Sequence, residues 1–471
     1  MQDHRTDRKT AHITPEEMAK QRQAMAEIRA LADRPQTFCV VTYGCQMNAH
    51  DSEVIAGMLM EMGMTEAADR ESADFVIFNT CCVRDNAERK ALGNVTWLKE
   101  VRKRNPRLRI GVCGCMIQEP GMAERILKQY PFVDLAFGTA NLYRMPELLL
   151  RLLRRDGGRV VEVAEEDTIA EELPVQRLRR DAAYVTIMYG CNNFCSYCIV
   201  PYVRGRERSR EMDDILREAE SLQRDGVKEI MLLGQNVNSY GLGLDSGATF
   251  PNLLRRLDAM GIERLRFMTS HPKDLSDDLI DAMAGSRHIL PQFHLPVQSG
   301  SDEVLRAMNR RYTRADYLGR VKVLRSAIPD IGLTTDIIVG HPGETEEQFL
   351  ETLSLVEEVG YDSAFTFIYS PRVGTRSAAM PGQIAPEVAT DRIQRLIAVQ
   401  ERRQRERLQR FVGAEEQVLV EGLSRRSDTA VSGKGGHGIS ITLPGTERDV
   451  GEIIPVRVTG VKNNTLTAER F

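Results

Sequence analysis

The sequence lacks an excess of charge of either sign. Its 471 residues carry 63 Lys and Arg against 67 Asp and Glu, for a formal net charge of −4. A polycation that coats nucleic acid or anionic membrane is therefore excluded, although a local basic surface is not. Hydrophobic residues make up 42% and charged residues 28% of the chain, which excludes disorder throughout. The length alone favours about three domains.

Long apolar runs are also missing. The charged first residues are followed by no apolar segment, so we expect no signal peptide. The uncharged stretch 182–203 is interrupted by Gly190, Asn192 and Pro201, whereas a membrane-spanning helix needs about 20 mostly apolar residues. We therefore expect no membrane segment and a reducing, cytoplasmic location. Long repeats and low-complexity tracts are absent as well.

The sequence does contain nine cysteines. A chain of this length can bury large cores and needs no disulfides to fold. In a reducing compartment, cysteines more often bind metal or take part in chemistry than form pairs. The positions of the nine thiols are therefore the first guide to function.

The pattern of the chain predicts a multidomain α/β protein. Residues 1–35 carry one helix, which begins at Thr14 and Pro15 and which we expect to be peripheral or mobile. From residue 36, three short apolar runs alternate with helical segments and predict an open parallel α/β sheet. The charged passage 155–180 is interpreted as a linker.

A second α/β series begins near residue 181. Six strand candidates alternate with helical segments, which is too few for a complete eight-stranded barrel and predicts a partial (β/α)6 barrel. A helix over 391–410 is rich in Arg. After it, short alternating strands with Gly-rich and Asn-Asn turns predict a small antiparallel β-barrel at the C-terminus.

Three cysteines lie close together directly after the first strand of the six-strand series. Cys191, Cys195 and Cys198 have the spacing C-x3-C-x2-C. Three thiolates leave one iron of a [4Fe–4S] cluster open to an exogenous ligand, because such a cluster takes four ligands. The alternatives are a zinc site, which usually has four protein ligands, or chance clustering.

Three other cysteines are far apart in sequence but follow the ends of the N-terminal strands. Cys45, Cys81 and Cys115 are each separated by one strand–helix unit. The carboxyl ends of parallel strands meet at one edge of a sheet, so these thiols are predicted to form a second three-cysteine site. The alternative, a small buried hydrophobe, suits Cys39 and Cys113 better because both lie within strands.

Two sets of motifs resemble known families. The segment CNNFCSYC, placed after a strand of a six-strand series, resembles the radical S-adenosylmethionine (SAM) enzymes. The segments TYGCQMN, FNTCCVRDNAERK and GVCGCMIQ resemble the N-terminal domain of the methylthiotransferases within that superfamily. The resemblance runs from residue 36 to the end. It implies the following layout: 1–35, helical extension; 36–154, methylthiotransferase N-terminal domain; 155–180, linker; 181–408, radical SAM core; 409–471, TRAM domain.

The resemblance also implies cofactors. Two [4Fe–4S] clusters are expected, an auxiliary cluster on Cys45, Cys81 and Cys115 and a SAM-cleaving cluster on the tight triad. Since the chemistry would occur at the clusters, no classical acid or base is assigned. SAM contacts are expected from the loops that follow the second, fourth and fifth strands of the central series, at Gln235, Asn236, Gln298, Ser299, Ser301, Gly340, Gly343 and Glu344.

Three places depart from the family pattern. Cys82 stands where the family usually has Ser, so either of two adjacent thiols could ligate, and motif alignment favours Cys81. His341 replaces a commoner aromatic residue, and a hydrogen-bonded loop histidine is a simpler interpretation than a catalytic one. The stretch 433–437 does not resemble the usual basic turn of a TRAM domain.

Arginines follow the tight triad at every second position. Arg204, Arg206, Arg208 and Arg210 could contact RNA, because Arg matches phosphate geometry and stacks on bases. An ion-paired strand edge is an equally good interpretation of the same pattern. The Arg-rich helix over 391–410 adds local positive charge.

The activity implied by the resemblance is methylthiolation of carbon 2 of N(6)-dimethylallyladenosine next to the anticodon of tRNA. SAM would supply both the methyl group and the radical. Methylthiolation of threonylcarbamoyladenosine or of a ribosomal-protein aspartate is the alternative, and an iron–sulfur electron carrier or RNA-binding scaffold is the non-enzymatic one. Expected partners are tRNA, a flavodoxin- or ferredoxin-like electron donor and an iron–sulfur assembly or sulfur-carrier protein, with the chain itself a monomer.

Overall fold

The computed structural model describes residues 11–82, 85–154, 158–164, 168–424 and 427–471. The chain divides into two units. The first comprises Met1–Leu178, Met188–Asn192 and Cys198–Arg210. The second comprises Arg179–Ile187, Asn193–Tyr197 and Glu211–Phe471. The loop that carries Cys191, Cys195 and Cys198 therefore contributes residues to both units.

The N-terminal region alternates strands and helices. Its elements are β1 (Ala11–His12), α1 (Pro15–Leu31), β2 (Thr37–Thr42), α2 (Gln46–Glu61), β3 (Thr65–Glu66), β4 (Phe75–Thr80), α3 (Asp85–Arg104), β5 (Arg109–Gly114), α4 (Met122–Gln129), β6 (Leu135–Phe137), α5 (Met145–Arg154), β7 (Val160–Glu162) and β8 (Thr168–Ile169). Six strands form one parallel sheet in the order β3-β2-β4-β5-β6-β7. The predicted open parallel sheet is confirmed.

Both faces of this sheet are covered. Alternate residues of β4 enter different cores: Phe75 and Ile77 pack with α1, α2 and α5, whereas Val76 and Phe78 pack with α3 and α4. This alternation follows from the period of two in a strand. The sequence pattern missed β3, β6 and β7, since runs of two or three residues are shorter than the four to eight that a strand pattern needs.

Two N-terminal expectations differ from the structure. The segment 155–180, interpreted as a linker, contains β7, which pairs with β6 at the edge of the sheet. Helix α1 is integrated into the fold instead of lying loosely at its surface, because Ala24, Met25 and Ile28 are buried in the core with α5. Its predicted start is confirmed, since the Thr14 hydroxyl accepts a hydrogen bond from the Glu17 amide.

The central region supplies the barrel strands. Its elements are β9 (Ala182–Thr186), β10 (Met188–Tyr189), α6 (Val200–Val203), β11 (Arg208–Ser209), α7 (Met212–Arg224), β12 (Glu229–Leu233), α8 (Phe250–Ala259), β13 (Arg264–Phe267), α9 (Asp277–Ala284), β14 (Gln292–His294), α10 (Asp302–Ala307), α11 (Arg314–Ala327), β15 (Gly332–Val339), α12 (Glu346–Val359), β16 (Ser363–Ile368) and α13 (Pro386–Leu408).

Six of these strands form the partial barrel that the sequence predicts. They pair in parallel as β9-β12-β13 and β14-β15-β16. A bridge pairs Leu265 of β13 with Ile289, which lies three residues before β14. No helix within the described residues is long and apolar enough to cross a membrane.

The C-terminal strands close on themselves. They are β17 (Glu415–Ser424), β18 (Ser427–Lys434), β19 (Ser440–Pro444), β20 (Ile453–Lys462) and β21 (Thr465–Arg470). The order is β17-β18-β19-β21-β20, and β20 pairs back with β17. Every pair is antiparallel except β19 with β21. The predicted small barrel is confirmed with this one parallel pairing.

The turn at 433–437 packs against the partial barrel within the second unit. Gly435 O accepts a hydrogen bond of 2.9 Å from the Arg266 guanidinium, and Arg264 donates to Lys434 O at 3.0 Å. A Cβ added at Gly332, the first residue of β15, would lie 2.3 Å from His437 O. This turn is therefore used for packing, which gives a physical reason why it does not resemble the usual basic turn of a TRAM domain.

We predict that Gly332→Ala destabilises this packing. The added methyl group would overlap backbone, which cannot move aside as a side chain can, so the loss should be roughly 1–3 kcal/mol. Calorimetric unfolding of Gly332→Ala should show a lower transition temperature. The matched control is Gly319→Ala in α11, where nothing lies within 4 Å of the added Cβ and helix propensity favours Ala. Equal stability of the two variants would contradict the prediction.

Candidate active site

The three dispersed cysteines follow neighbouring strands at the carboxyl edge of the parallel sheet. Cys45 ends the loop after β2 and caps α2, Cys81 directly follows β4, and Cys115 directly follows β5. Since β2, β4 and β5 are adjacent, their loops emerge side by side. Cys45 is exposed, whereas Cys81 and Cys115 are buried.

Two glycines allow these loops to approach closely. A Cβ added at Gly44, whose φ is +143°, would lie 2.6 Å from Cys81 Cβ. A Cβ added at Gly114, whose φ is +95°, would lie 2.4 Å from Asn79 Oδ1 and 2.5 Å from Thr80 O. Only glycine satisfies both the backbone angle and the space at these points. The residues before Cys45 and Cys115 thus lie against the segment that ends in Cys81.

Buried polar side chains fasten the same edge. The Asn79 amide donates to Asn48 O at 2.8 Å and to Ser52 Oγ at 3.0 Å, and the Asn48 amide donates to Asn79 Oδ1 at 3.1 Å. Thr80 Oγ1 donates to Cys113 O at 2.9 Å. These bonds connect α2, β4 and β5, so the cysteine loops stand on a buried and hydrogen-bonded base.

Cys115 has a distinct environment. Arg204 Nε donates a hydrogen bond to Cys115 Sγ at 3.1 Å, and Arg204 Nη2 pairs with Asp51 Oδ2 at 2.6 Å. The Cys82 thiol also donates to Cys115. This thiol bond and the Arg204 charge outweigh burial and lower the pKa of Cys115 below its ordinary value. The arrangement favours the thiolate, which is the form that ligates metal.

The same geometry clarifies the role of Cys82. Its side chain is fully buried, and its hydrogen bond to Cys115, together with burial, raises the pKa of Cys82. A thiol held neutral in this way is a donor to the neighbouring sulfur. A serine hydroxyl could donate in the same manner, which explains how Ser and Cys can occupy one position.

The arginines that follow the tight triad have protein partners. Arg204 pairs with Asp51, and Arg210 pairs with Glu171 at 2.5 Å. Arg208 Nη1 donates to Arg204 O at 2.9 Å and lies over the Tyr189 ring. These three side chains are buried, in agreement with the ion-paired interpretation. The RNA role of Arg204, Arg206, Arg208 and Arg210 stays a prediction, and the burial of three of them argues against it.

The ends of the tight cysteine loop are held in the first unit. Cys191 N donates to Gly205 O at 3.3 Å. Gly190, at φ +71°, runs so close to Arg206 that an added Cβ would lie 2.0 Å from its carbonyl oxygen. Helix α6 follows Cys198, and its Val203 packs with Cys82 and Cys115 in one small apolar cluster. Residues after the triad thus help to build the edge that carries Cys115.

The middle of the loop is held in the second unit by a residue that the sequence analysis missed. Arg310 is buried, donates from Nη1 to Cys195 Sγ at 3.4 Å and from Nη2 to Pro296 O at 2.7 Å. Asn309 donates to Phe194 O at 3.0 Å. The sequence does not single out either residue, because the burial of Arg310 and its bond to Cys195 are tertiary properties that no periodicity reveals.

The predicted SAM-contact loops, after β12, β14 and β15, and also the loop after β13 contain buried polar atoms without a hydrogen-bond partner in the described part of the chain. Such atoms are rare in folded proteins and often mark a ligand site. They lie in the loops after β12, β13, β14 and β15, on Gln235, Asn236, Asn238, Ser270, His271, Gln298 and Glu344. Asn238, Ser270 and His271 were not predicted, because their signal is burial alone. These donors and acceptors fit the polar groups of SAM.

Other predicted contacts serve the loops themselves. Ser299 Oγ bonds to Thr352 Oγ1 at 3.2 Å and accepts from Ser301 N at 3.2 Å, and Ser301 occupies the N-cap position of α10. Glu344 Oε2 accepts from Gly340 N at 2.7 Å and from Arg392 at 2.9 Å, which leaves Oε1 for another partner. Gly343 N donates to Gly382 O. Gly340 and Gly343 adopt φ values of +75° and +82°, so the loop after β15 needs both glycines.

Cysteine thiols are the donors that iron–sulfur clusters require, and the two predicted sites together offer six of them. All nine cysteines lie in described parts of the chain, and none of them forms a disulfide. Within the described ranges, no group of three or more His, Cys, Asp or Glu side chains is arranged to hold a metal ion as it stands. The loops and the chemistry fit the two clusters, and the six cysteines stay predicted ligands.

The fold and these sites define a radical SAM enzyme. The sequence pattern of the radical SAM superfamily matches residues 185–356, that of the uncharacterized protein family UPF0004 matches residues 37–138, and that of the TRAM domain matches residues 409–471. The three matches follow the predicted order of domains.

Curated relatives identify the family. A tRNA-2-methylthio-N(6)-dimethylallyladenosine synthase from Clostridium perfringens is 51% identical over 434 residues, 92% of this chain and 97% of the relative. The protein of the same name from Acetivibrio thermocellus is 49% identical over 98% of both chains. The chain belongs to the family of tRNA-2-methylthio-N(6)-dimethylallyladenosine synthases. This family uses SAM and two [4Fe–4S] clusters.

A solved structure shares the fold. The radical SAM methyltransferase TsrM from Kitasatospora setae, with cobalamin and a [4Fe-4S] cluster bound, is 16% identical and has a TM-score of 0.53. The match covers 73% of this chain and 77% of that one. At this identity the likeness concerns the fold alone.

We predict that Gly44→Ala removes the auxiliary cluster. The added methyl group would lie against Cys81 Cβ and would force the backbone from φ +143°, so the loops of Cys45 and Cys81 must separate. Iron analysis after anaerobic reconstitution should show a loss of about four irons per chain. Gly93→Ala, at an exposed position of α3 where nothing lies within 4 Å of the added Cβ, is the control. Parental iron content in Gly44→Ala would contradict the prediction.

His341 should make the fold sensitive to acid. Its Nε2 bonds to Ser377 Oγ at 2.8 Å, and burial lowers the pKa of His341 from 6.5 to about 4. The unfolded chain therefore binds the proton first as pH falls from about 6.5 to about 4, and stability declines by at most about 1.4 kcal/mol per pH unit. In urea unfolding of the metal-free protein, His341→Phe should reduce this decline. An unchanged slope would refute the assignment.

Proposed function

We propose that this protein methylthiolates carbon 2 of N(6)-dimethylallyladenosine next to the anticodon of tRNA, giving 2-methylthio-N(6)-dimethylallyladenosine. The proposal rests on one observation. Over nearly the whole chain, about half of the residues are identical to those of synthases of this name. It favours this activity over the threonylcarbamoyladenosine and ribosomal-aspartate alternatives, and over a non-catalytic carrier or scaffold.

When bound, SAM and the clusters would supply three things that side-chain acids and bases cannot supply. These are a radical that removes an unactivated aromatic hydrogen, a sulfur atom and a methyl group. The chain supplies position and electrostatics. Cys45, Cys81 and Cys115 would hold the auxiliary cluster on the fastened carboxyl edge of the sheet. Cys191, Cys195 and Cys198 would hold the other cluster, with Arg310 beside Cys195.

The loops of the partial barrel would hold SAM. Gln235, Asn236, Gln298 and Glu344 each offer a buried polar atom without a protein partner among the described residues. Hydrogen-bonding groups of the amino acid and ribose parts of SAM could satisfy these atoms. Gly340 and Gly343 would let the backbone approach the ligand closely.

The remaining assignments also belong to the proposal. The partners are tRNA, a flavodoxin- or ferredoxin-like electron donor and a protein that assembles clusters or carries sulfur, and the protein acts as a cytoplasmic monomer. The working division of the chain is 36–154 for the auxiliary-cluster domain, 181–408 for the radical SAM core and 409–471 for the TRAM domain. The order of the family matches supports it.

The test compares tRNA that carries dimethylallyladenosine with tRNA that lacks the dimethylallyl group. Reconstituted protein, SAM and a reductant should yield the methylthio product by nucleoside mass spectrometry only with the first tRNA. Product on threonylcarbamoyladenosine tRNA instead would contradict the proposal.

Two triple variants separate the cluster sites. Cys191→Ala/Cys195→Ala/Cys198→Ala should release no 5′-deoxyadenosine. Cys45→Ala/Cys81→Ala/Cys115→Ala should release it but form no methylthio product. Each should lose about four irons per chain. Full iron content in the second variant would refute the assignment of the auxiliary cluster.

A further inference from the structure

Arg204 occupies a position that the chemistry assigned so far does not explain. Its side chain is 6% exposed, and the side chain of its partner Asp51 is 10% exposed. A guanidinium buried this deeply is costly unless its charge is compensated and its donors are used. Here Asp51 compensates the charge, and Nε, at 3.1 Å, is directed to Cys115 Sγ.

The backbone around Arg204 is also held. Thr139 Oγ1 donates to Val203 O at 2.8 Å, and Arg208 Nη1 donates to Arg204 O at 2.9 Å. Val203 itself packs with Cys82 and Cys115. The guanidinium therefore has little freedom to move away from the Cys115 sulfur.

We propose that Arg204, compensated by Asp51, is a positioning residue that donates to the Cys115 sulfur of the auxiliary cluster, retains the cluster and sets its reduction potential. Hydrogen bonds to ligand sulfurs and local net charge are two of the factors that set such potentials. The inference rests on the proposed function only for the assignment of the auxiliary cluster to Cys45, Cys81 and Cys115.

The experiment uses the full-length chain with Cys191→Ala/Cys195→Ala/Cys198→Ala, so that only the auxiliary cluster is reconstituted. Three variants are made in it: Arg204→Met, Arg204→Lys and Asp51→Asn. The readouts are iron and sulfide content, the rate of iron release to a chelator, and the midpoint potential from an EPR-monitored redox titration. None of these depends on the tRNA substrate.

Opposite shifts are expected from the two partners. Arg204→Met removes a positive charge and a donor, so the midpoint should become more negative and iron retention should weaken about 10- to 100-fold, as for other groups that support metal ligands. Asp51→Asn removes a negative charge and should shift the midpoint to more positive values. Arg204→Lys keeps the charge and should restore part of the Arg204→Met shift.

The control pair is Arg102 with Asp134, joined at 2.9 Å in the same unit. Asp134 precedes β6 and accepts from the amide of Ile110 near the start of β5, away from the carboxyl edge. Arg102→Met and Asp134→Asn should leave the midpoint unchanged. If Arg204→Met folds poorly, the midpoint potentials of Asp51→Asn and Arg204→Lys still test the role of Arg204.

Two negative results are distinguishable. If the Cys45→Ala/Cys81→Ala/Cys115→Ala substitutions remove no iron, the ligand assignment in the proposed function is wrong. If they remove the cluster but Arg204→Met and Asp51→Asn leave the midpoint and the release rate at parental values, the ligands stand and the role of Arg204 is overturned. Shifts of equal sign in Arg204→Met and Asp51→Asn would also overturn it, because a purely structural disturbance does not depend on charge.

Discussion

A buried positive charge organises the carboxyl edge of the N-terminal sheet. Removing either partner of a buried ion pair typically costs about 3–5 kcal/mol, since the remaining charge stays in a poorly solvated site. Arg204 and Asp51 are such a pair. The segment after the tight cysteines must therefore lie against the sheet, because only then does Arg204 compensate the buried carboxylate of Asp51. The order of the cysteine loops depends on this requirement.

In each cysteine set, a sulfur accepts a hydrogen bond from a buried arginine. In the first unit Arg204 donates to Cys115, and in the second unit Arg310 donates to Cys195. Arginine suits this task because it stays charged when buried and presents several donors in a rigid plane. Two unrelated parts of the fold thus use the same physical means, a buried guanidinium that donates a hydrogen bond to a cysteine sulfur.

The six barrel strands and three longer strands of the N-terminal sheet could be predicted from the sequence, because each is an apolar run of sufficient length between turn residues. The cysteine positions could be predicted because parallel strands bring their carboxyl ends together. The edge strand β7 could not, since its three residues border a charged passage and belong to no longer strand-like run. The integration of α1 could not either, because Ala24, Met25 and Ile28 identify a packing face but not its partner.

The arginines after the tight triad show more clearly what a sequence pattern cannot predict. Arg204, Arg206, Arg208 and Arg210 alternate as strand residues do, and a one-dimensional pattern does not distinguish an arginine facing RNA from one facing Asp51 or Glu171. The carboxylates that decide the matter lie far away in sequence, Asp51 in α2 and Glu171 before β9. Burial of His271 and Arg310 is likewise a tertiary property. Long-range pairing, and not local propensity, assigns these residues.

The residues Cys198–Arg210 have a consequence for how the protein can be divided. They begin with the last cysteine of the tight triad, yet they belong to the first unit. A fragment that ends at the sequence boundary near residue 180 would keep Asp51 and Glu171 but lose Arg204 and Arg210, and would expose the apolar surface that Ile199 and Val203 cover. The compact units of the structure therefore do not coincide with contiguous segments of the sequence. Recombination between relatives at that boundary would have to preserve charge partners on both sides of the junction.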